Sequence, residues 1–160
     1  MSSIHKNLSD YNDVLPDASG MRIGIVIAEW NKEITSLLHD AVKMILLQAK
    51  CKNENIFEFI VPGSFELPLG AKHLLETKKP DAVICIGCIV QGETRHFDFI
   101  CNSVADGIMR LNLDYKIPVI FGVLTTNSME QAKDRAGGKY GNKGIEAAVT
   151  ALKMVAGLRN

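Results

Sequence analysis

Three observations in the sequence predict an α/β fold, a four-stranded parallel sheet between two helical layers. Short apolar runs of strand length alternate with longer segments whose apolar residues recur at helical spacing, and four such pairs follow one another. The apolar runs are nearly continuous rather than alternating, as in strands covered on both faces. The 160 residues, 47% hydrophobic and 22% charged, suffice for one domain with a sizeable core.

The stretch from residue 1 to about 20 is polar and aperiodic, ends Pro16-Asp17-Ala18-Ser19-Gly20, and reads as an N-terminal arm with no core role of its own. A single catalytic domain is expected over 21–160. Its first strand is Arg22 to Ala28. The helix after it is the clearest element, because Ile34, Leu37, Leu38, Ala41, Val42, Ile45, Leu46 and Ala49 form one helical stripe. Ile56 to Val61 is the second strand, followed by a helix from about Phe65 to Thr77. Ala82 to Cys88 is the third, followed by about Phe97 to Leu113. Pro118 to Leu124 is the fourth, with a short helix near Met129 to Ala136, a Gly137-Gly138 break and a last helix from about Lys143 to Ala156. Parallel strands joined through helices cross over right-handedly, and the outline resembles flavodoxin.

Composition narrows the partners. Eighteen Lys+Arg balance 18 Asp+Glu and no basic cluster stands out, which argues against nucleic acid. No apolar run approaches the ~20 residues of a membrane span and Met1 to Lys6 lacks the apolar centre of a signal peptide, so a cytoplasmic protein is expected. Near-zero net charge suits a chain that buries surface in an assembly. Of the four cysteines, Cys85 and Cys88 have CxxC spacing. Residues three apart in a strand face opposite ways, and no second pair completes a metal site, so these two, with Cys51 and Cys101, read as small buried thiols.

In parallel sheets of this kind ligands bind outside the carboxyl ends of the strands. There the first strand runs into Glu29-Trp30-Asn31, the second into Pro62-Gly63-Ser64-Phe65-Glu66, the third into Gln91-Gly92-Glu93-Thr94-Arg95-His96, and the fourth into Thr125-Thr126-Asn127. The third is the most informative. Unpaired N–H groups at a helix start can hold an anion without a metal, so Gly92-Glu93-Thr94 beside His96 reads either as a phosphate site next to a proton shuttle or as an ordinary strand-to-helix turn with a surface histidine, and the convergence of four such turns on one rim favours the first. Trp30 either stacks on a flat heterocycle or staples its helix to the core. Glu66 complements a helix dipole or binds substrate hydroxyls, the former reading being preferred. Arg135 and Lys143 flank the glycine break, where a solvated charge is the default, and His5, His39 and His73 read as surface groups.

Together these segments resemble the lumazine synthase family from about Arg22 to Leu158. The resemblance rests on VPGSFELP at Val61 to Pro68, GxTxHFDF at Gly92 to Phe99, PVIFGVLTT at Pro118 to Thr126, EQAxxRAG at Glu130 to Gly137 and NKGxEAA at Asn142 to Ala148. It implies a transferase of riboflavin biosynthesis. Such an enzyme joins 5-amino-6-(D-ribitylamino)uracil to 3,4-dihydroxy-2-butanone 4-phosphate, losing phosphate and water, with neither metal nor organic cofactor. By the same resemblance Trp30 stacks on the pyrimidine, while Asn31 and backbone groups of Ile89 and Val90 bind its polar edge. Ser64 and Glu66 match the residues that hold the ribityl chain, with Phe65 between them a further substrate-binding position, Glu93 and Thr94 hold the phosphate, and His96 moves protons. Phe121, Arg135 and Lys143 match groups that reach the site from the adjacent subunit, Arg135 pairing the phosphate.

Some positions depart from the family's commoner pattern. Trp30 stands for a phenylalanine, Glu29 and Gln91 stand where basic residues are frequent, and Glu93 puts a carboxylate beside the phosphate loop, with Arg95 as its nearest compensation in sequence. Assembly into homopentamers is implied. Gly137 to Gly144 lacks the insertion of pentameric members, which favours an icosahedral shell, and riboflavin synthase is a further suggested partner. Two other functions share this fold class. A flavodoxin-like flavin-binding module needs a Ser/Thr/Gly-rich turn after the first strand, where this chain has Ala28-Glu29-Trp30-Asn31. A phospho-receiver needs an aspartate where the third strand ends in Gly87-Cys88. A protein whose shell matters more than its catalysis is compatible with the enzyme reading.

Overall fold

The computed structural model describes residues 14–159. Strands β1 (Ile23–Ala28), β2 (Ile56–Val61), β3 (Ala82–Val90) and β4 (Val119–Thr126) alternate with helices α1 (Lys32–Gln48), α2 (Leu67–Lys78) and α3 (His96–Tyr115). Helix α4 (Met129–Arg135), short strands β5 (Ala136–Gly138) and β6 (Gly141–Asn142), and helix α5 (Lys143–Arg159) complete the described chain. The sheet order is β2-β1-β3-β4, parallel throughout, giving the expected three layers.

Strand alternation divides the apolar residues between two cores. Ile23, Ile25, Ala82, Ile84, Ile86 and Cys88 face α1 and α5, whereas Val26, Ala28, Val83 and Cys85 face α2 and α3. Cys85 and Cys88 therefore lie on opposite faces, and burial pushes their thiols up to about 12 and about 11. Thiols that far above neutrality are protonated and inert, so the CxxC spacing carries no redox chemistry.

Element ends differ from expectation by a few residues. Strand β3 continues to Val90 because β4 runs beside it to Thr126. Pro118 lies just outside β4 and contributes only its carbonyl, which accepts from the Val83 N–H at 2.9 Å. Ser64–Glu66 form a single 3₁₀ turn, and α2 begins after it with Pro68 in its first turn, where a missing N–H costs nothing. The Gly137-Gly138 break is one strand of the β5–β6 hairpin.

Ala18 departs from the expected arm. It is fully buried in the α1–α5 core, its N–H donates to the Ala49 carbonyl at 2.7 Å, and Asp17 pairs Lys50 at 3.0 Å. The remainder of the arm, with His5, lies outside the described residues. His39 also departs from a plain surface role: its Nε2 lies 3.0 Å from Glu58, which also pairs Lys43 at 3.0 Å, so α1 is tied to edge strand β2. His73 is exposed as expected, its ring 5.0 Å from that of Phe59.

Helix α5 crosses α1 at Gly144, where an added Cβ would collide with the Leu38 carbonyl and lie 2.9 Å from Asn142 Oδ1. Alanine normally favours a helix over glycine by ~1 kcal/mol. Here the collision is with backbone, which cannot move aside, so Gly144→Ala should destabilise by about 1–3 kcal/mol. Thermal unfolding at fixed protein concentration checks the sign; a variant as stable as the parent would mean that the helix crossing yields.

Candidate active site

The strand register brings four turns to one rim. Ala28 stands beside Val61, Ile27 beside Ile86, and Val90 beside Thr126, so all four carboxyl ends share an edge of the sheet. Beyond β1 the pairing continues for two residues, since the Glu29 N–H donates to the Val61 carbonyl at 2.9 Å and the Trp30 N–H to the Pro62 carbonyl at 3.1 Å. The backbone of Trp30 is thus fixed while its indole is 71% exposed. That exposure removes the staple reading and leaves a flat apolar face at the rim.

Asn31 follows in the left-handed region, φ 60°, a conformation asparagine tolerates better than most residues. Its Nδ2 donates to the Cys88 carbonyl at 2.8 Å, locking the β1 turn to β3. One of the two amide N–H groups is thereby used, and the other N–H and Oδ1 remain to be presented elsewhere.

Strand β1 pairs β3 only as far as Ile86, so the next residues of β3 have no strand opposite them on that side. Successive backbone groups point to alternate sides of a strand. The Gln91 N–H donates to the Thr126 carbonyl at 2.8 Å, whereas the Cys88 carbonyl faces Asn31. It follows that Ile89 turns its backbone toward β4, and Val90 turns one N–H and one C=O toward the open side beside Asn31.

In the β2 turn, Ser64 is buried against β3 at Gly87, where any Cβ would come within 2.6 Å of Ser64 Oγ. Glycine is required there for the turn to close on the sheet. Glu66 Oε2 accepts from the Gly63 N–H at 3.0 Å, a local turn-closing bond that differs from both the helix-dipole and the hydroxyl-binding readings, and Phe65 is exposed next to it.

The segment Gln91 to His96 is exposed throughout. Among the described residues the N–H groups of Gly92, Glu93, Thr94 and Arg95 make no hydrogen bond, while Thr94 Oγ1 accepts weakly from the His96 N–H at 3.4 Å. These donors lie at the positive end of the long helix α3, an arrangement that favours an anion. His96 is its first helical residue, exposed and without an ion-pair partner among the described residues. Arg95 does not compensate the Glu93 carboxylate directly; its guanidinium lies 6.0 Å from the Phe99 ring, back along the helix.

Phe121 stands apart, and Arg135 and Lys143 are engaged with partners of their own. Phe121 is opposite Cys85, and Cys85 opposite Val26, four residues before Trp30. At ~3.3 Å per residue and ~4.8 Å between strands, Phe121 lies roughly 16 Å from Trp30. Arg135 donates to the Gln131 carbonyl at 3.1 Å and stacks 4.9 Å from the Tyr140 ring. Lys143 pairs both carboxylate oxygens of Glu146 at 2.8 Å. One chain therefore assembles Trp30, Asn31, Ser64, Glu66, Val90 and the Gly92–His96 loop, and does not add Phe121 to them.

Sequence reasoning passed over two features. Gln91, noted only as an uncharged replacement, closes the loop after β3 from within, its Nε2 donating to the Gly92 carbonyl at 2.7 Å. A groove beside the rim between α1 and β2, lined by Glu29, Lys32, Thr35, Ser36, His39 and Glu58, was also missed. The i, i+4 pair His39 and Lys43 was the one available signal for its acidic partner. Among the described residues no cluster of three or more His, Cys, Asp or Glu side chains could hold a metal ion, and no helix is long and apolar enough to cross a membrane.

Residues 20–159 match the family model of 6,7-dimethyl-8-ribityllumazine synthase. Proteins of that name share 58% identity with the chain in Cytophaga hutchinsonii, where the match covers 98% of each sequence, and 58% in Parabacteroides distasonis, over 97% of the chain and 98% of the relative. The relative of that name from Porphyromonas gingivalis is 53% identical over 96% of both.

Proposed function

Because the chain belongs to the 6,7-dimethyl-8-ribityllumazine synthase family, we propose that the rim of its sheet divides that family's reaction among the residues described. The chain is a transferase of riboflavin biosynthesis. It condenses 5-amino-6-(D-ribitylamino)uracil with 3,4-dihydroxy-2-butanone 4-phosphate to give 6,7-dimethyl-8-ribityllumazine. In our reading the indole of Trp30 stacks on the pyrimidine, whose polar edge meets Asn31 Oδ1 and the N–H and C=O of Val90; Ile89 holds that edge in place through its pairing with β4. Ser64, Phe65 and the free oxygen of Glu66 line the ribityl chain. The N–H groups of Glu93 and its neighbours, with the Thr94 hydroxyl, take the phosphate.

The chemistry then needs little beyond positioned protons. The substrate amine attacks the ketone and water leaves to form an imine, phosphate is eliminated, and the enol, once converted to its carbonyl form, is attacked by the ribityl-bearing nitrogen and cyclises with loss of a second water. His96 moves protons between these steps, a role that contributes ~10²- to 10⁴-fold. Holding two small reactants together removes much of the entropic barrier. Phe121, Arg135 and Lys143 complete the site from a neighbouring copy in a homopentamer, and pentamers assemble into an icosahedral shell. Residues 21–160 form the catalytic domain, and Ala18 from the stretch before it packs into the same core. The setting is cytoplasmic, with riboflavin synthase downstream as a further partner.

The observation that carries this reading is the juxtaposition at one rim of an exposed indole, an unopposed backbone donor and acceptor, and a row of free N–H groups. It is tested by titrating the protein with the ribitylaminouracil while following fluorescence of its sole tryptophan. Stacking should change the emission strongly and saturably. Unaltered emission at saturating ligand would remove Trp30 from the pyrimidine site.

A further inference from the structure

We infer that Gln91 is a positioning residue that presets the anion loop by turning two of its peptide N–H groups outward. The inference rests on the phosphate reading of that loop given above. The Gln91 main chain is anchored, its N–H donating to the Thr126 carbonyl at 2.8 Å. From that fixed base its side chain folds over the loop, and Nε2 donates to the Gly92 carbonyl at 2.7 Å and, more weakly, to the Thr94 carbonyl at 3.4 Å. Both partners are acceptors, so the amide nitrogen and not the amide oxygen faces them.

A trans peptide is planar, and the N–H of each residue points opposite to the carbonyl of the residue before it. With the Gly92 carbonyl drawn toward Gln91, the Glu93 N–H points away. With the Thr94 carbonyl drawn the same way, the Arg95 N–H points away as well. Neither N–H has a partner among the described residues, and nothing lies within 4 Å of the space beside Gly92. One neutral side chain thus orients two donors that an anion would otherwise have to organise on binding. This explains how the loop holds phosphate without a basic residue at position 91 and with the Glu93 carboxylate beside it. Preset backbone dipoles take the place of a side-chain charge.

Gln91→Met and Gln91→Lys separate the donor from the bulk. Methionine matches the length and cannot donate; lysine can. Steady-state kinetics should show the KM for the ketose phosphate about tenfold higher in Gln91→Met. The KM for the ribitylaminouracil should stay within about twofold, and the inhibition constant of inorganic phosphate should rise in parallel with the first. Gln91→Lys should restore both phosphate-dependent constants. An unchanged KM for the ketose phosphate in Gln91→Met, or an equal rise in both KM values, overturns the proposal. Equilibrium dialysis of radiolabelled inorganic phosphate against parent and Gln91→Met protein reads the loop without turnover. Weaker retention by the variant supports the proposal even if the parent failed to form product, and equal retention overturns it.

Discussion

Mixed assemblies of Glu66→Ala and Arg135→Ala chains should regain about a quarter of the parent's activity per site, although each variant alone is nearly inactive. The fraction follows from chance. If a site takes its Glu66 half from one copy and its Arg135 half from a neighbour, each half is intact with probability one in two, and a quarter of the sites receive both. The geometry motivates the expectation. Glu66 closes the turn that holds Ser64 against β3, whereas Arg135 is engaged with Gln131 and Tyr140 in the segment after β4. Phe121, expected in the same site, is mid-strand and 41% exposed. An aromatic ring open to solvent on an edge strand is free to serve another copy. Activity should return after co-expression or co-refolding, and not when preassembled variants are merely combined. Co-assembled particles that contain both chains by mass and stay inactive would place Arg135 outside a shared site.

His96→Gln should lower kcat at least about tenfold with little change in the affinity for either substrate. His96 opens α3 next to the free N–H groups of the anion loop, and its exposed ring makes no ion pair among the described residues, so nothing in the fold depends on it. Glutamine keeps hydrogen-bonding capacity and cannot take up and release a proton between steps. A loss confined to KM would instead make His96 a binding group, and an unchanged kcat would exclude it from proton transfer.

Much of this fold is written in periodicity. The helical stripe from Ile34 and the apolar runs of β1, β3 and β4 specify elements whose ends fall within a few residues of those expected, because burial on both sides of a parallel sheet leaves little freedom. What stayed hidden depends on partners distant in sequence. Ala18 sits in a polar stretch and is buried by packing into the α1–α5 core, where the Ala49 carbonyl also takes its N–H. His39 is drawn from the surface by Glu58 on another element.

The site was legible to a similar depth. Turn chemistry at strand ends marked Trp30, Ser64, Glu66 and the loop before His96. Which way a peptide faces is not a property of residue type, so the alternation that separates Val90 from Ile89 needed the strand register. The closure of the loop by Gln91 needed side-chain coordinates.

The most direct measurement of the central claim combines the purified protein with both substrates and follows lumazine formation together with phosphate release. The account predicts one phosphate per lumazine, formed well above the uncatalysed rate, with either substrate alone giving neither. Product no faster than without protein, or phosphate released without lumazine, would contradict it.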